Sequence, residues 1–271
     1  MATGKLLHAA RAPARRGGWR ETARFIFVVF LVALAIRSFI AAPFSIPSGS
    51  MLPRLMIGDY LIVAKWPYGY AYPFGIGEGR WLEGAAKRGD VAVFRHPATD
   101  EDYVKRIVGL PGDRITMRGG ILLLNGTAVP RIRIADYLMP ISANSPCRTV
   151  DPEAARIVAD ASGAPSCAYA RYRETLPGGK SYDVLDQIES IVDDTPDFTV
   201  PAGHYFVMGD NRDDSEDSRF PREEGGVGML PADRLVGRAL ITFFSTDGSA
   251  EWSNPMTWLS ATRWHRIGET F

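Results

Sequence analysis

A short segment rich in serine, glycine and proline carries side chains suited to nucleophilic chemistry. In residues 44–53 (FSIPSGSMLP), Ser48 and Ser50 flank a glycine, and prolines stiffen the chain on both sides. A rigid, tightly turned backbone can present one serine as a nucleophile and the other as a nearby hydrogen-bond donor. Such a composition is by itself more often a linker beside a membrane than an active site, so its interpretation depends on the rest of the chain.

Lysine is scarce in this chain of 271 residues, and one of its five lysines falls in a segment typical of a β-strand. In residues 102–108 (DYVKRIV), strand alternation places Lys105 on the same face as Tyr103 and Ile107, where an apolar side chain is expected. Burial on that face lowers the pKa of a lysine, and its neutral amine can act as a general base at about pH 7–9. The alternative is a lysine at a strand edge whose ammonium group reaches water.

A dense polar segment, residues 209–219 (GDNRDDSEDSR), follows a later predicted strand. We interpret it as a loop of salt bridges and hydroxyl donors that braces a neighbouring site. A calcium-binding loop is the alternative, because four residues have its ligand spacing: Asp213, Ser215, Asp217 and Glu224. Ser218, however, stands where that loop requires glycine, so we predict no metal here.

The composition excludes several classes of protein. With 46% hydrophobic and 23% charged residues, the chain is a folded globular one rather than a disordered or polytopic membrane protein. Basic and acidic residues both number 31, so the net charge does not indicate a nucleic-acid partner. Two cysteines and four scattered histidines do not make a four-ligand zinc site, and we predict neither a metal nor a cofactor.

The amino-terminal region predicts one membrane-spanning helix. Residues 1–24 carry six basic side chains and one acid, and residues 25–43 then contain a single charge, Arg37. As a helix, this second segment covers about 28 Å of a hydrocarbon core about 30 Å thick. The charge asymmetry predicts a cytoplasmic segment at 1–24, a span through the lipid bilayer at 25–43 and an extracytoplasmic body beyond it. The alternative is a cleaved secretory signal, because residues 40–42 resemble a small-residue cleavage site.

The body after the span is predicted to be mainly β, with antiparallel strands. Six short segments rich in β-branched and aromatic residues are bounded by turn residues: 61–66, 90–96, 103–110, 119–126, 204–210 and 236–244. Only residues 151–161 predict a helix in the body, with Pro152 following an aspartate cap.

The less regular middle of the body is predicted to be a second lobe inserted into the β core. The predicted boundaries are a main domain at 44–247, with a core at 44–124 and 202–247, an inserted lobe at 125–201 and an aromatic tail at 248–271. Within the lobe, Cys147 and Cys167 would lie in an oxidising compartment if the predicted topology holds, so we predict a disulfide between them, contributing about 3 kcal/mol.

Residues 66–81 gather several aromatic side chains in one loop rich in glycine and proline. One hypothesis places this loop at the bilayer interface, where tryptophan and tyrosine are enriched. The alternative is an aromatic cluster that caps the β core.

Four motifs, in this order behind an amino-terminal anchor, resemble those of the type I signal peptidases (leader peptidases), bacterial membrane-anchored Ser-Lys proteases of the S26 type. The motifs are IPSGSMLPRLMIGD (46–59), GDVAVFRHP (89–97), YVKRIVGLPGD (103–113) and MGDNRDDSEDSR (208–219). The resemblance implies an endopeptidase that removes signal peptides from secretory preproteins after Ala-X-Ala sites, at the outer face of the inner membrane. It also implies that the export machinery delivers those preproteins.

The resemblance assigns roles to the residues that match its motifs. It implies that Ser50 is the nucleophile and Lys105 the general base. It further implies an oxyanion hole formed by the Ser48 hydroxyl and the Ser50 backbone N–H, and a Ser215 hydroxyl that orients the lysine amine.

The resemblance also implies supporting and substrate-contacting residues. Ion pairs are implied from Asp210 to Arg106 and from Asp217 to Arg219. Shallow pockets for small substrate residues are implied at five positions: Phe44, Ile46, Leu55, Tyr103 and Val104. Small apolar pockets act by refusing large side chains.

The chain departs from the family pattern at two points. FPREEGGVG follows Arg219 in place of a shorter aromatic-glycine turn, and one span is predicted where many relatives have two. Two rival functions stay open: a specialised Ser-Lys peptidase of the same fold, and a membrane-tethered β-rich binding module in which Ser50 and Lys105 are structural.

Overall fold

The fold is mainly β with one apolar helix at its amino-terminal side, as predicted. A computed structural model describes residues 18–71, 80–81, 84–147, 156–251 and 253–271. The helices of the described residues are α1 (Trp19–Ala35), extended by a π-helical turn (Ile36–Ile40), and α2 (Met256–Ala261). The strands are β1 (Ala41–Ser45), β2 (Asp59–Ala64), β3 (Tyr70–Ala71), β4 (Arg80–Trp81), β5 (Val91–Arg95), β6 (Asp102–Gly109), β7 (Arg114–Arg118), β8 (Ile121–Leu124), β9 (Thr127–Ala128), β10 (Arg131–Pro140), β11 (Ile157–Ala159), β12 (Pro165–Thr175), β13 (Ser181–Leu185), β14 (Phe198–Thr199), β15 (His204–Met208), β16 (Leu230–Pro231) and β17 (Leu235–Ser245).

The amino-terminal helix is long and apolar enough to cross a membrane. It runs from Trp19 to Ile40, 22 residues that include an 18-residue window with a mean hydropathy of 2.2, and none of its residues is buried in the body. It begins before the predicted residue 25, because Glu21 in its first turn interacts favourably with the helix dipole. It ends before Pro43, because proline disfavours the helical conformation in the residue before it, and Ala41 begins β1 instead.

A seven-stranded antiparallel sheet carries the residues of the predicted site. Its strand order is β1-β2-β17-β5-β6-β15-β16. Strand β6 pairs on one side with β5 and on the other with β15, so its middle residues lie deep in the fold. The segment between β1 and β2 contains Ser48 and Ser50 and crosses toward the face of β6 that bears Lys105.

A second antiparallel sheet lies within the region predicted as an inserted lobe. Its strand order is β10-β12-β11, and β13 also pairs with β12. Cys147 and Cys167 are bonded in a disulfide, with their Cα atoms 5.6 Å apart. Cys167 packs in one apolar cluster with Leu52 and Met56, which lie just after Ser50. The second sheet therefore supports the segment that carries the serines.

The predicted helix at 151–161 is wrong where the structure describes it. Residues 151–155 lie outside the described residues, but Ile157–Ala159 form strand β11 against β12. Asp160 closes the hairpin, because its carboxylate accepts hydrogen bonds from the backbone of Ser162 and Ala164. Local capping signals at 151–152 predicted a helix, whereas pairing with β12 fixes the extended conformation of two β-branched residues.

The aromatic loop has two kinds of residue. Tyr68 is buried in the β core and donates a hydrogen bond to Asp90, as the core-capping alternative predicts. Trp66 is exposed, and Tyr70 packs edge-on against Phe39 at the end of the apolar helix. Tyr72 and Phe74 lie outside the described residues. The interface hypothesis stays a prediction for the exposed part of the loop.

Candidate active site

Ser50 sits in a tight turn that is held by the later polar loop. The Leu52 N–H donates to the Gly49 carbonyl at 3.1 Å, which closes the turn around Ser50. Asn211 braces the turn from outside, because its backbone N–H donates to the Ser50 carbonyl at 3.0 Å and its side-chain amide donates to the Gly49 carbonyl at 3.2 Å. A Cβ at Gly49 would lie 3.3 Å from Leu52, so a larger residue would crowd this turn.

Lys105 meets Ser50 inside the fold. Lys105 is 3% exposed, and its Nζ lies 2.6 Å from the Ser50 Oγ, well within hydrogen-bond distance. The Oγ of Ser48 lies 3.4 Å from the Oγ of Ser50. Burial lowers the pKa of Lys105 to about 8, although the carboxylates of Asp217, Asp214 and Glu216 oppose that shift. A large share of the amine is therefore neutral in mildly alkaline solution.

Ser215 does not make the predicted hydrogen bond to Lys105 in the structure. Its hydroxyl donates to Asp217 Oδ2 at 2.8 Å, since one hydroxyl proton is better placed on a carboxylate than near an amine. Asp217 is fully buried and also accepts two bonds from Arg219, at 2.9 and 3.0 Å. Burial opposes ionisation of Asp217, but the Arg219 contact holds the pKa of Asp217 below its usual range. The Ser215 oxygen keeps lone pairs that can accept from an amine.

The predicted ion pair between Arg106 and Asp210 joins strand β6 to the polar loop. Arg106 contacts Asp210 with two parallel bonds, Nε to Oδ1 at 2.7 Å and Nη2 to Oδ2 at 2.6 Å. A third bond from Arg106 reaches the Gly89 carbonyl at 2.9 Å. Both charged side chains are buried, so the pair rigidly fixes the loop that follows Asp210.

A buried network that sequence reasoning missed anchors the same loop to the second sheet. Arg212 donates to both carboxylate oxygens of Glu174, at 2.9 and 2.5 Å, and Tyr182 donates to the same carboxylate at 2.9 Å. The Arg106 guanidinium lies over the Tyr182 ring, 4.2 Å from its centroid. Arg212 stands inside a quoted motif and could have been singled out, but nothing local marks Glu174 as its partner.

An open groove of about 910 Å³ runs past the two serines and Lys105. Its apolar walls come from residues of β1, the serine segment and β6: Ala42, Phe44, Ile46, Met51, Tyr103 and Val104. Four of the five predicted pocket residues therefore line it. Leu55 does not, because it is fully buried and packs behind Ile46 and Met51. Met51 takes a place in the wall that the sequence analysis did not assign.

Of the four residues with calcium-loop spacing, the three acids Asp213, Asp217 and Glu224 do not converge in the part of the chain that the structure describes. Asp217 is engaged by Arg219, and the acidic group that does converge there consists of Asp186, Asp193 and Asp213, with carboxylate oxygens within 4.8 Å of one another. Arg131 already pairs with Asp186, and no second feature at this group indicates a ligand.

The site on this antiparallel β scaffold thus combines a serine hydroxyl with a buried amine at hydrogen-bond distance, a pair chemically able to carry out nucleophilic catalysis. The family model described as "Signal peptidase, peptidase S26" matches residues 19–244, so the chain belongs to the S26 signal peptidase family. Members of this family are serine endopeptidases, and the four motifs that indicated it are confirmed in that sense.

Curated relatives agree with the family assignment. Signal peptidase I of Rickettsia typhi is 32% identical over 242 residues, covering 84% of this chain and 80% of the relative. Signal peptidase I of Pseudomonas fluorescens is 35% identical over 238 residues, covering 83% of this chain and 72% of the relative. A crystal structure of signal peptidase I from Enterococcus faecalis is 24% identical, with a TM-score of 0.29, and the match covers 57% of this chain and 96% of that chain.

Proposed function

We propose that this protein cleaves signal peptides from secretory preproteins with Ser50 as nucleophile and Lys105 as general base. The observation that carries the proposal is the 2.6 Å contact between the Lys105 Nζ and the Ser50 Oγ, made by a buried lysine that has no carboxylate partner among the hydrogen bonds and ion pairs of the described residues. Such a lysine loses its proton more easily than an exposed one and can then accept the serine proton.

The reaction proceeds through an acyl-enzyme. Neutral Lys105 removes the Ser50 proton as the serine oxygen attacks the scissile carbonyl, and the lysine ammonium then donates that proton to the leaving amine. The Ser50 N–H and the Ser48 hydroxyl stabilise the oxyanion, because the two serine oxygens already lie 3.4 Å apart across the same turn. Water enters after the leaving peptide departs, and the same lysine activates it to hydrolyse the ester.

The polar loop keeps the general base in place. Ser215 and Asp217 face Lys105 from one side, and the bidentate Arg219 contact fixes Asp217. We propose that Ser215 accepts from the Lys105 amine during catalysis, a bond that the structure does not contain, while its hydroxyl continues to donate to Asp217. The loop therefore limits the rotation of the lysine without forming an ion pair that would keep it protonated.

The groove favours small side chains before the cut. Phe44, Ile46, Met51 and Val104 crowd the wall beside Ser50, so large residues at the neighbouring substrate positions would clash. This supports cleavage after Ala-X-Ala sites, by exclusion rather than by strong attraction.

The position of the groove supports work at the membrane surface. Arg37, near the end of the apolar helix, and Phe44, in β1 directly after it, both line the groove. A substrate emerging from the bilayer would thus meet the serine within a few residues. The basic residues that precede the helix support an orientation with the amino terminus in the cytoplasm and the groove at the outer face.

Cleavage of a preprotein with an Ala-X-Ala site, followed by sequencing of the new amino terminus, tests the proposal. The detergent-solubilised full chain is compared with Ser50→Ala and Lys105→Met, with exposed Ser253→Ala and Lys87→Met as matched controls. We expect cleavage after the second alanine by the wild type and both controls only. Cleavage of one dedicated substrate and no other would favour the specialised peptidase. Binding of preprotein without cleavage, unchanged in Ser50→Ala, would favour the binding module.

A further inference from the structure

The segment after Ser50 is also held from the side opposite the polar loop. Arg266 places its guanidinium on Asp59, with Nη2 2.6 Å from Oδ2 and Nε 3.0 Å from Oδ1. Its Nη2 additionally donates to the Arg54 carbonyl at 2.9 Å. Asp59 is fully buried and accepts the Met56 N–H at 2.8 Å. One arginine thus fixes the two halves of the segment 51–59 relative to each other.

We call residues 263–271, which include this arginine, the strap. Arg263 donates to the Ile57 carbonyl at 2.9 Å and to the Asn144 side chain of the second lobe, also at 2.9 Å. The strap itself is fastened to the main sheet at Thr242 of β17, whose N–H donates to the Glu269 carbonyl at 2.9 Å and whose carbonyl accepts from the Gly268 N–H at 2.8 Å. The strap therefore ties the serine segment to the main sheet and to the turn that follows β10.

Apolar contacts continue the strap toward the serine. Phe271 packs against the cluster that contains Ile46, Met51 and Leu55. The Arg54 guanidinium lies over the Phe271 ring, 5.3 Å from its centroid, and donates to the Thr270 carbonyl. Met51 comes directly after Ser50 in the chain and belongs to this cluster, so Phe271 and the serine turn are supported by the same apolar packing.

We propose that Arg266, Asp59 and Phe271 are positioning residues that hold Ser50 in line with Lys105. Asn211 of the polar loop holds the Gly49 and Ser50 carbonyls. The strap fixes the segment 51–59. Proton transfer needs the serine within a few tenths of an ångström of its productive place, and misplacement by about 1 Å can cost about 100-fold in rate. This inference rests on the proposed function.

Steady-state kinetics of full-length Arg266→Gln and Arg266→Lys test the inference. We expect Gln to lower kcat by about 10- to 100-fold and to change KM by less than about 3-fold, because the groove is intact while the serine is displaced. Arg266→Lys keeps the positive charge but cannot make the two-pronged contact with Asp59, so its kcat should lie between those of the wild type and Arg266→Gln. The matched control is Arg88→Gln, which breaks the Arg88–Asp113 pair (2.8 Å) and leaves the contacts of the strap unchanged.

Two further readouts separate positioning from stability and from the proposed function itself. Assays are run below the onset of unfolding of each variant, and amide hydrogen exchange of residues 50–57 should accelerate in Arg266→Gln but not in Arg88→Gln.

If Arg266→Gln does not fold, Phe271→Ala replaces it, with an expected kcat loss of about 3- to 10-fold at unchanged KM. Normal kcat in folded variants, beside an active wild type, would overturn the positioning role alone. A wild type that cleaves nothing, with exchange changed as expected, would overturn the proposed function instead.

Discussion

Two neighbouring residues on opposite faces of strand β6 show how burial leads to opposite chemistry. Lys105 and Arg106 are almost equally buried, at 3% and 2% exposure. Arg106 meets a carboxylate with two short bonds and stays a charged structural clamp. Lys105 instead meets a serine hydroxyl, and its pKa falls. A guanidinium keeps its proton whatever its partner, whereas burial beside a neutral hydroxyl, without a paired carboxylate among the described residues, lets the Lys105 amine lose its proton and act as a base.

Replacing Lys105 by arginine should have the largest effect on cleavage. Lys105→Arg keeps a positive charge on that face, but a guanidinium does not lose its proton near neutral pH and so cannot act as the base. We expect the cleavage rate to fall by about 10³-fold or more. The measurement is single-turnover cleavage of a preprotein by purified protein, with unfolding curves to show that the variant is folded. Substantial residual activity would mean that another group serves as the base.

Removing the Arg106 guanidinium should lower the free energy of unfolding. Arg106→Met leaves the Asp210 carboxylate buried without its partner, which typically destabilises a protein by about 3–5 kcal/mol. The measurement is denaturant unfolding of Arg106→Met beside Arg173→Met, a control at an exposed arginine that we expect to change stability far less. Equal stabilities of the two variants would show that the Asp210 contact is not the clamp described here.

The contrast also predicts the pH dependence of cleavage. Lys105 must be neutral to accept the serine proton, and its pKa is lowered to about 8. The rate should therefore rise about tenfold per pH unit below about pH 8 and level off above it. A pH profile of kcat/KM on a preprotein measures this. Full activity at about pH 5 would exclude a lysine base.

The smallest effect is expected from the acids near Lys105. Glu216 raises the pKa of Lys105, opposing the effect of burial, so Glu216→Gln should move the rise in activity to lower pH, by a fraction of a pH unit. Asp214 acts in the same direction and Arg219 in the opposite one, and neither changes in this variant. The comparison is the midpoint of the two pH profiles, with Glu223→Gln as an exposed control. A shift to higher pH would contradict the assigned electrostatics.

Features of the site that lie within one short segment could be predicted from the sequence, whereas contacts between distant segments could not. Ser50 and Lys105 were singled out from the sequence because their motifs occur together and in order, since the stiff turn and the misplaced lysine are each ambiguous alone. Leu55 was assigned to the groove wrongly, because the turn after Ser50 rotates it into the core.

Long-range contacts were beyond the sequence. Glu174 reaches Arg212 from the second sheet, and Arg266 reaches Asp59 across more than 200 residues. Each looks like an ordinary surface charge in its own segment. The helix predicted at 151–161 failed for the same reason, since pairing with β12 overrides local capping signals.

Titration of the lysine side chains by NMR tests the central claim most directly. The chain has only five lysines, so the Lys105 resonance of protein labelled at lysine Cε can be assigned by its absence in Lys105→Arg. We predict that this resonance titrates with a pKa of about 8 and that its midpoint coincides with that of kcat/KM. A Lys105 that titrates near the ordinary value of 10.5, while the activity rises at lower pH, would contradict a lysine general base.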